Sequence, residues 1–341
     1  MKYYSNEIVF RGHPDKVCDQ ISDALLDAFL NGDENSRCGI EVCGGKEKIF
    51  VTGEVTSEAH VNVENVVKRV LRDVGYSDNV EVINNLGIQS PDIAMGTCDD
   101  VSGAGDNGMM FGYASRDTKE MLPTAMVILQ KFSKAYDDLR QKDERFLSDG
   151  KAEITGIYNE DDKLVKIKYF TICYQNTEEE RKKTDEIIKS LAIKICAEYG
   201  IKIENFLINP TGRFKIGGFL GDAGLTGRKI VVDSYESFAP VGGGAFSGKD
   251  LTKVDRSGAY KAREIAKEIL LQNNNYKWVQ VQLSYAIGLS KPLGIYIKTN
   301  LGDIITPEKY YEECTVANIV KHFKNKHLKY EDTAKYGHFQ K

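Results

Sequence analysis

GGGAFSGKDLTKVDRS, residues 242–257, admits three readings: a broken nucleotide loop, a coincidence of glycines, or a phosphate site of another kind. From Gly243 to Lys249 it runs Gly-x4-Gly-Lys, the spacing of a P-loop that wraps phosphate between a strand and a helix. Three features oppose that reading. Asp250 stands where a P-loop needs Ser or Thr for its metal. The strand expected at KIVVD ends at Asp233, with Pro240 between it and Gly242. The next helix opens only near Asp255 or Ser257. What remains is a basic phosphate site of another geometry.

The surrounding residues 209–256 supply its charges. Arg213, Lys215, Arg228, Lys229, Lys249, Lys253 and Arg256 alternate with Asp222, Asp233, Asp250 and Asp255. Glycines let backbone N–H groups approach an anion, and Lys and Arg neutralise it. The carboxylates are suited to Mg2+, which prefers oxygen ligands and substrate phosphates.

Further out, one order of elements occurs three times. Helix PDKVCDQISDALLDAFL precedes the hairpin RCGIEVC–GGKE–KIFVTGEV and a helix expected from Ser57. Helix LPTAMVILQKFSKAYDDL, a hairpin over 152–175 and a helix from Glu178 repeat it. The third round runs from SGAYKAREIAKEILLQ through a hairpin over 277–299 to a helix expected at Thr306-Pro307-Glu308. Such units are too long for a solenoid and predict an α+β chain of three similar αββα-type domains. Each would carry an antiparallel or mixed sheet covered by helices on one face. The bare sheet faces would meet one another or a second subunit.

Two other segments are candidates for chemistry. His13 and Asp15 in RGHPDKVCDQ sit at a helix start, where N–H groups favour anions. Residues 87–115, with their glycines, the Asp99-Asp100 pair and Pro91, read as a mobile loop, either a plain surface loop or an active-site lid. Glu41 and Glu54 fall within strands, on a wet face or against a cation.

A net charge of −4 argues against a nucleic-acid or membrane-surface partner, so an anionic ligand needs a local basic patch. Seven cysteines without a Cys-x-x-Cys predict reduced core residues in a cytoplasmic protein. No run approaches the roughly 18 apolar residues of a membrane span.

Five motifs then converge. GHPDK (12–16), GAGDNGMMFGYA (103–114), NPTGRFKIGG (209–218), GDAGLTGRK (221–229) and GGGAFSGKDLTKVDRS resemble, in this order, the S-adenosylmethionine synthetase (methionine adenosyltransferase) family. TAKYGHF (333–339) is similar to that family's ending, so the resemblance spans about Glu7 to Phe339. It implies three domains with pseudo-threefold symmetry, here over 2–92, 103–217 and 218–339, with segments free to interchange. It also implies the conversion of ATP, L-methionine and water to S-adenosylmethionine, pyrophosphate and phosphate, on a homodimer with shared sites or a homotetramer. Another ATP-dependent kinase or ligase, or a non-catalytic regulatory member, are the alternatives.

Matched motif by motif, the resemblance assigns the catalytic roles to His13, Lys151, Arg228, Lys229, Lys249 and Lys253. ATP would be held by His13, Asp149, Gly150, Lys151, Arg213, Phe214, Asp222, Arg228, Lys229, Ala245 and Lys249, with the Phe214 ring on adenine. Methionine would be held by Glu54, Gln89, Asp222 and Lys253. Asp15 and Asp255 match Mg2+ ligands, two ions per site, and Glu41 matches the K+ ligand. The chain departs from the family's usual residues at Arg11, Gln130, Phe219 and Pro240-Val241, and its loop between Asp92 and Gly103 is shorter.

Overall fold

The computed structural model describes residues 2–90 and 102–339. Residues 91–101 of the loop read as a possible lid lie outside them, with Pro91, Cys98 and the Asp99-Asp100 pair. The described residues form three four-stranded sheets.

The strands are β1 Lys2–Val9, β2 Arg37–Gly45, β3 Lys48–Thr56, β4 Glu81–Gly87, β5 Gly108–Ser115, β6 Phe146–Tyr158, β7 Leu164–Asn176, β8 Ile203–Ile208, β9 Gly224–Leu225, β10 Trp278–Tyr285, β11 Gly294–Thr299 and β12 Gly302–Ile304. The sheet orders are β4-β3-β2-β9, β1-β6-β7-β8 and β12-β11-β10-β5. These orders show a cyclic exchange. Each round's leading strand leaves its own hairpin and pairs antiparallel with the next: β1 with β6, β5 with β10, and β9 back with β2. The first two sheets end in a parallel partner, β4 beside β3 and β8 beside β7, so they are mixed.

Two long helices cover one face of each sheet. They are α1 Pro14–Gly32 with α2 Val63–Val74, α3 Thr124–Arg140 with α4 Arg181–Ala197, and α5 Val254–Gln272 with α6 Val316–Lys324. Alternation fixes the faces: in β10, Val279, Val281, Leu283 and Tyr285 are buried against helices, and the residues between them are more open. One apolar core joins the first and third sheets, and a second lies under the β1-β6-β7-β8 sheet.

Three sequence expectations are corrected. The helix expected from Ser57 begins at Val63, capped by the Asn62 side chain, which accepts from Asn65 N at 2.9 Å. In the intervening chain Glu58 N donates to Asp33 Oδ2 at 3.0 Å, tying it to the end of α1. KIVVD is no strand: Ile230–Asp233 forms one helical turn, closed by Asp233 N donating to Lys229 O at 2.8 Å. Lys16 draws the Asp233 carboxylate inward, which an extended chain pairing with a sheet edge would not allow. The helix expected at Thr306 is only a short turn over Lys309–Glu313, and α6 starts after Thr315. The Thr306 hydroxyl is spent on Ile295 O at 2.8 Å and cannot cap.

Candidate active site

The site is organised along β2, the strand that meets the glycine-rich segments of the last third of the chain. Gly39 forms an antiparallel bridge with Lys249, and Cys43 pairs with Leu225. Between them Thr226 N donates to Val42 O at 3.0 Å. The 221–229 and 242–257 segments are thereby set at opposite ends of one strand.

Beneath them runs an acidic stripe. Asp15, Asp19, Asp23 and Asp27 recur every fourth residue of α1, which places them on one helix face. Each accepts a backbone N–H from elsewhere: Asp15 from Leu225 (2.9 Å), Asp19 from Gly227 (2.8 Å), Asp23 from Gly248 (2.8 Å), and Asp27 from Tyr330 (3.0 Å) and Glu331 (2.9 Å). The loops bearing the basic residues are thus clipped to a rigid helix. The sequence reading took Asp15 from this stripe and missed the other three, although their spacing is visible in DKVCDQISDALLD.

At the Leu225 end, Asp15 is 1% exposed and paired with Lys229 Nζ at 2.5 Å, with Arg228 Nε at 3.5 Å. Burial pushes its carboxyl pKa up, but the Lys229 ammonium and the Leu225 N–H outweigh burial and hold it low. His13 caps α1, its Nδ1 accepting from Asp15 N at 3.2 Å. Burial and the Lys229 charge lower its pKa to about 4, so the ring is neutral at pH 7 and carries its proton on Nε2.

At the Gly39 end, Lys249 Nζ pairs with Asp255 Oδ2 at 2.6 Å, and Lys253 Nζ with Glu54 Oε1 at 2.8 Å. Gln89 Nε2 donates to the same Glu54 oxygen at 2.9 Å, so three of the expected methionine residues meet. Gly244 is required here: a Cβ would stand 2.2 Å from Asp255 Cγ. Ala245 lies against Gly227, where an added Cβ would come within 2.6 Å of its own, so the two basic segments touch.

A third group lies where β6 passes His13. Asp149 accepts from Gly218 N at 2.8 Å, and Phe10 N donates to Gly150 O at 2.9 Å. Burial raises the Asp149 pKa to about 6. Asp222, expected at both substrates, acts electrostatically on His13 and Asp149. Its side chain bonds its neighbour Ala223 N at 2.8 Å, not the Glu54 group. Lys151 pairs with Glu7 across β1 and β6. Arg213 is exposed and Phe214 half-buried, its N–H 3.3 Å from Glu178 Oε1, apart from the two basic ends. Glu41 is exposed in the middle of β2, opposite Thr52.

Several charges of the 209–256 cluster turn out to be structural. Arg256 is fully buried in a two-point pair with Asp23, at 2.6 and 2.8 Å. Asp233 is buried on Lys16 at 2.5 Å, which also reaches Asp19 at 3.0 Å. Asp250, the residue that spoils the P-loop pattern, accepts Cys38 N at 2.7 Å and Thr252 N at 2.8 Å. Among the departures, Arg11 is buried, donating to Gln20 Oε1 at 2.6 Å, and the Phe219 ring covers Gly44.

Oxygen donors of the right kind for a divalent ion are present in Asp15 and Asp255, but each already holds a lysine. Among the described residues no three His, Cys, Asp or Glu side chains form a metal cage. No helix of the described residues is long and apolar enough to cross a membrane.

Three family models match the chain: S-adenosylmethionine synthetase, N-terminal domain, over residues 1–91, central domain over 101–214 and C-terminal domain over 216–341. Relatives named S-adenosylmethionine synthase match nearly end to end. That of Clostridium tetani (strain Massachusetts / E88) is 40% identical over 369 residues, covering 99% of this chain and 94% of the relative. That of Mycoplasmopsis synoviae (strain 53) is 39% identical over 354 residues, covering 99% and 92%, respectively. That of Synechococcus sp. (strain CC9311) is 38% identical over 383 residues, covering 98% and 91%.

Proposed function

The chain belongs to the S-adenosylmethionine synthetase family, and we propose that the charged groups along β2 are where it works. It is a methionine adenosyltransferase, making S-adenosylmethionine, pyrophosphate and phosphate from ATP, L-methionine and water. The thioether sulfur is neutral and already nucleophilic. It attacks C5′ of the ribose in line, the C5′–O bond breaks, and the triphosphate leaves with the electron pair. No enzyme nucleophile is needed, so positioning and stabilisation of the departing polyanion dominate.

The observation that carries the assignment is the pair of lysine–carboxylate couples at the two ends of β2, Lys229–Asp15 and Lys249–Asp255, with neutral His13 beside the first. In this reading Arg228, Lys229 and Lys249 face the triphosphate, and His13 donates Nε2–H to it. Lys253, Glu54 and Gln89 hold the amino-acid end of methionine. Asp149, Gly150, Lys151, Arg213, Phe214, Asp222 and Ala245 surround the nucleoside. Asp15 and Asp255 would hold divalent ions, whose charge would offset that of the departing triphosphate, and Glu41 would hold K+. Exposed apolar side chains on the helix-free sheet faces, among them Phe50, Ile83, Met109, Tyr169, Leu207 and Tyr296, support a homodimer with shared sites. A cytoplasmic location belongs to the same reading.

The deciding experiment supplies purified protein with ATP, Mg2+ and K+, with and without methionine. The expected products are a sulfonium, pyrophosphate and phosphate. Lys249→Ala should lower turnover about a hundredfold, and replacing K+ by Na+ should slow the wild type. Formation of ADP, or wild-type turnover in Lys249→Ala, would refute the assignment.

A further inference from the structure

The last described segment of the chain reaches the two basic ends of the site from behind, each through intermediate residues. Its first anchor is Tyr336, whose hydroxyl donates to Asp137 Oδ2 at 2.9 Å. The same oxygen lies 3.7 Å from Arg11, two residues before His13. The second anchor is the His338 backbone N–H, which donates to Asp233 O at 3.0 Å. Asp233 holds Lys16, Lys16 holds Asp19, and Asp19 accepts the N–H of Gly227 beside Arg228 and Lys229.

The third anchor is aromatic. The Phe339 ring, 3% exposed, stacks on Tyr235 with centroids 4.8 Å apart and stands edge-on to Phe246 at 5.7 Å. The His338 ring lies 5.0 Å from Phe246 and accepts or donates at Tyr260 OH, 2.7 Å away. Phe246 directly follows Ala245 and Gly244, the residues packed against Gly227 and Asp255. Gly337 has φ 105°, a conformation that lets the chain reverse so that Tyr336 and His338 reach different elements.

Resting on the site reading above, we propose that Tyr336–Phe339 is a strap that sets the geometry of the triphosphate cradle, with Tyr336, His338 and Phe339 as positioning residues. None of the three needs to touch substrate. Each fixes an element one or two residues from a group that does. Misplacement by about an ångström at such groups costs up to a hundredfold in rate.

The reaction offers a readout that loss of fold alone does not move. Sulfonium formation and triphosphate hydrolysis are successive steps on one cradle, so fewer folded molecules scale both equally. A displaced cradle changes their ratio, and triphosphate escapes uncleaved. Phe339→Leu and Tyr336→Phe remove the stacking ring and the hydroxyl separately. Val281→Ala, in the core under β10 and away from the site, serves as a control of lowered stability.

Each protein is checked for fold by circular dichroism, then supplied with ATP and methionine while sulfonium, triphosphate, pyrophosphate and phosphate are counted. The expected result is a rise of about threefold or more in escaped triphosphate, with reduced kcat, in both strap variants and not in Val281→Ala; shifts this size are within reach of misplacement alone. Unchanged product ratios in Phe339→Leu and Tyr336→Phe would overturn the strap. If Phe339→Leu does not fold, Tyr336→Phe alone decides. Lys249→Ala separates the two ideas: if it also leaves turnover unaltered the site reading fails, and if it cripples turnover while the strap variants keep the wild-type ratio only the strap fails.

Discussion

His13 shows how a single side chain is tuned by its place on the backbone. As the N-cap of α1 it accepts from Asp15 N, and burial beside Lys229 lowers its pKa from 6.5 to about 4. A depressed imidazole favours the folded state above the unfolded value, so this stabilisation is lost as pH falls from 6.5 through about 4. We expect its NMR resonances to titrate near pH 4, and a midpoint near 6.5 would show that the ring is not so held. Asp250 gives the second test at this scale. Restoring the P-loop hydroxyl with Asp250→Ser should not improve nucleotide binding. It should cost about 1–3 kcal/mol of stability, because the Cys38 N–H loses a charged acceptor. Tighter ATP binding in that variant would revive the P-loop reading.

At the scale of elements, α1 is the part that brings distant loops into register. Asp19 accepts Gly227 N with one oxygen and faces the Lys16 ammonium with the other. Asp19→Asn keeps an acceptor for Gly227 and Asp19→Ala does not. We therefore expect turnover to fall about tenfold to a hundredfold in Asp19→Ala and distinctly less in Asp19→Asn. Equal losses in the two, at equal stability, would show that charge rather than the clip matters. The sequence made the helices legible wherever a face of Val, Ile and Leu recurs at helical spacing, as in α1 and α2. The basic segments were legible as chemistry because Gly, Lys and Asp crowd together there. Which charges face a ligand was not legible. Arg256 and Lys253 look alike in TKVDRS, yet one is buried on Asp23 and the other pairs with Glu54 across the open face. That difference is set by partners more than a hundred residues away. KIVVD failed for the same reason: its β-branched run favours a strand, and the long-range pull of Lys16 on Asp233 overrides that preference.

For the whole molecule, each sheet draws its strands from two different thirds of the sequence. The repeated αββα order was readable from local patterns; that segments interchange was implied only by the family resemblance, because pairing partners leave no local signature. β1 lies in the sheet of β6, β7 and β8, and β9 returns from residue 224 to complete the sheet of β2 and β3. The acidic stripe of α1 depends on the same return, since its N–H partners are Leu225, Gly227, Gly248, Tyr330 and Glu331. Residues 2–92 made alone would lose the segments that cover α1, the β9 edge of the sheet, the β6 partner of β1 and the part of the apolar core supplied by the third sheet. The small core that remains buries too little apolar surface to offset chain entropy. We therefore expect this fragment to show no cooperative thermal transition by circular dichroism, while the full chain unfolds with the three sheets coupled. A sharp melt of the isolated fragment would mean that the exchanged strands and the stripe's distant partners contribute little. The loops that carry Lys229 and Lys249 would then owe their placement to something other than α1.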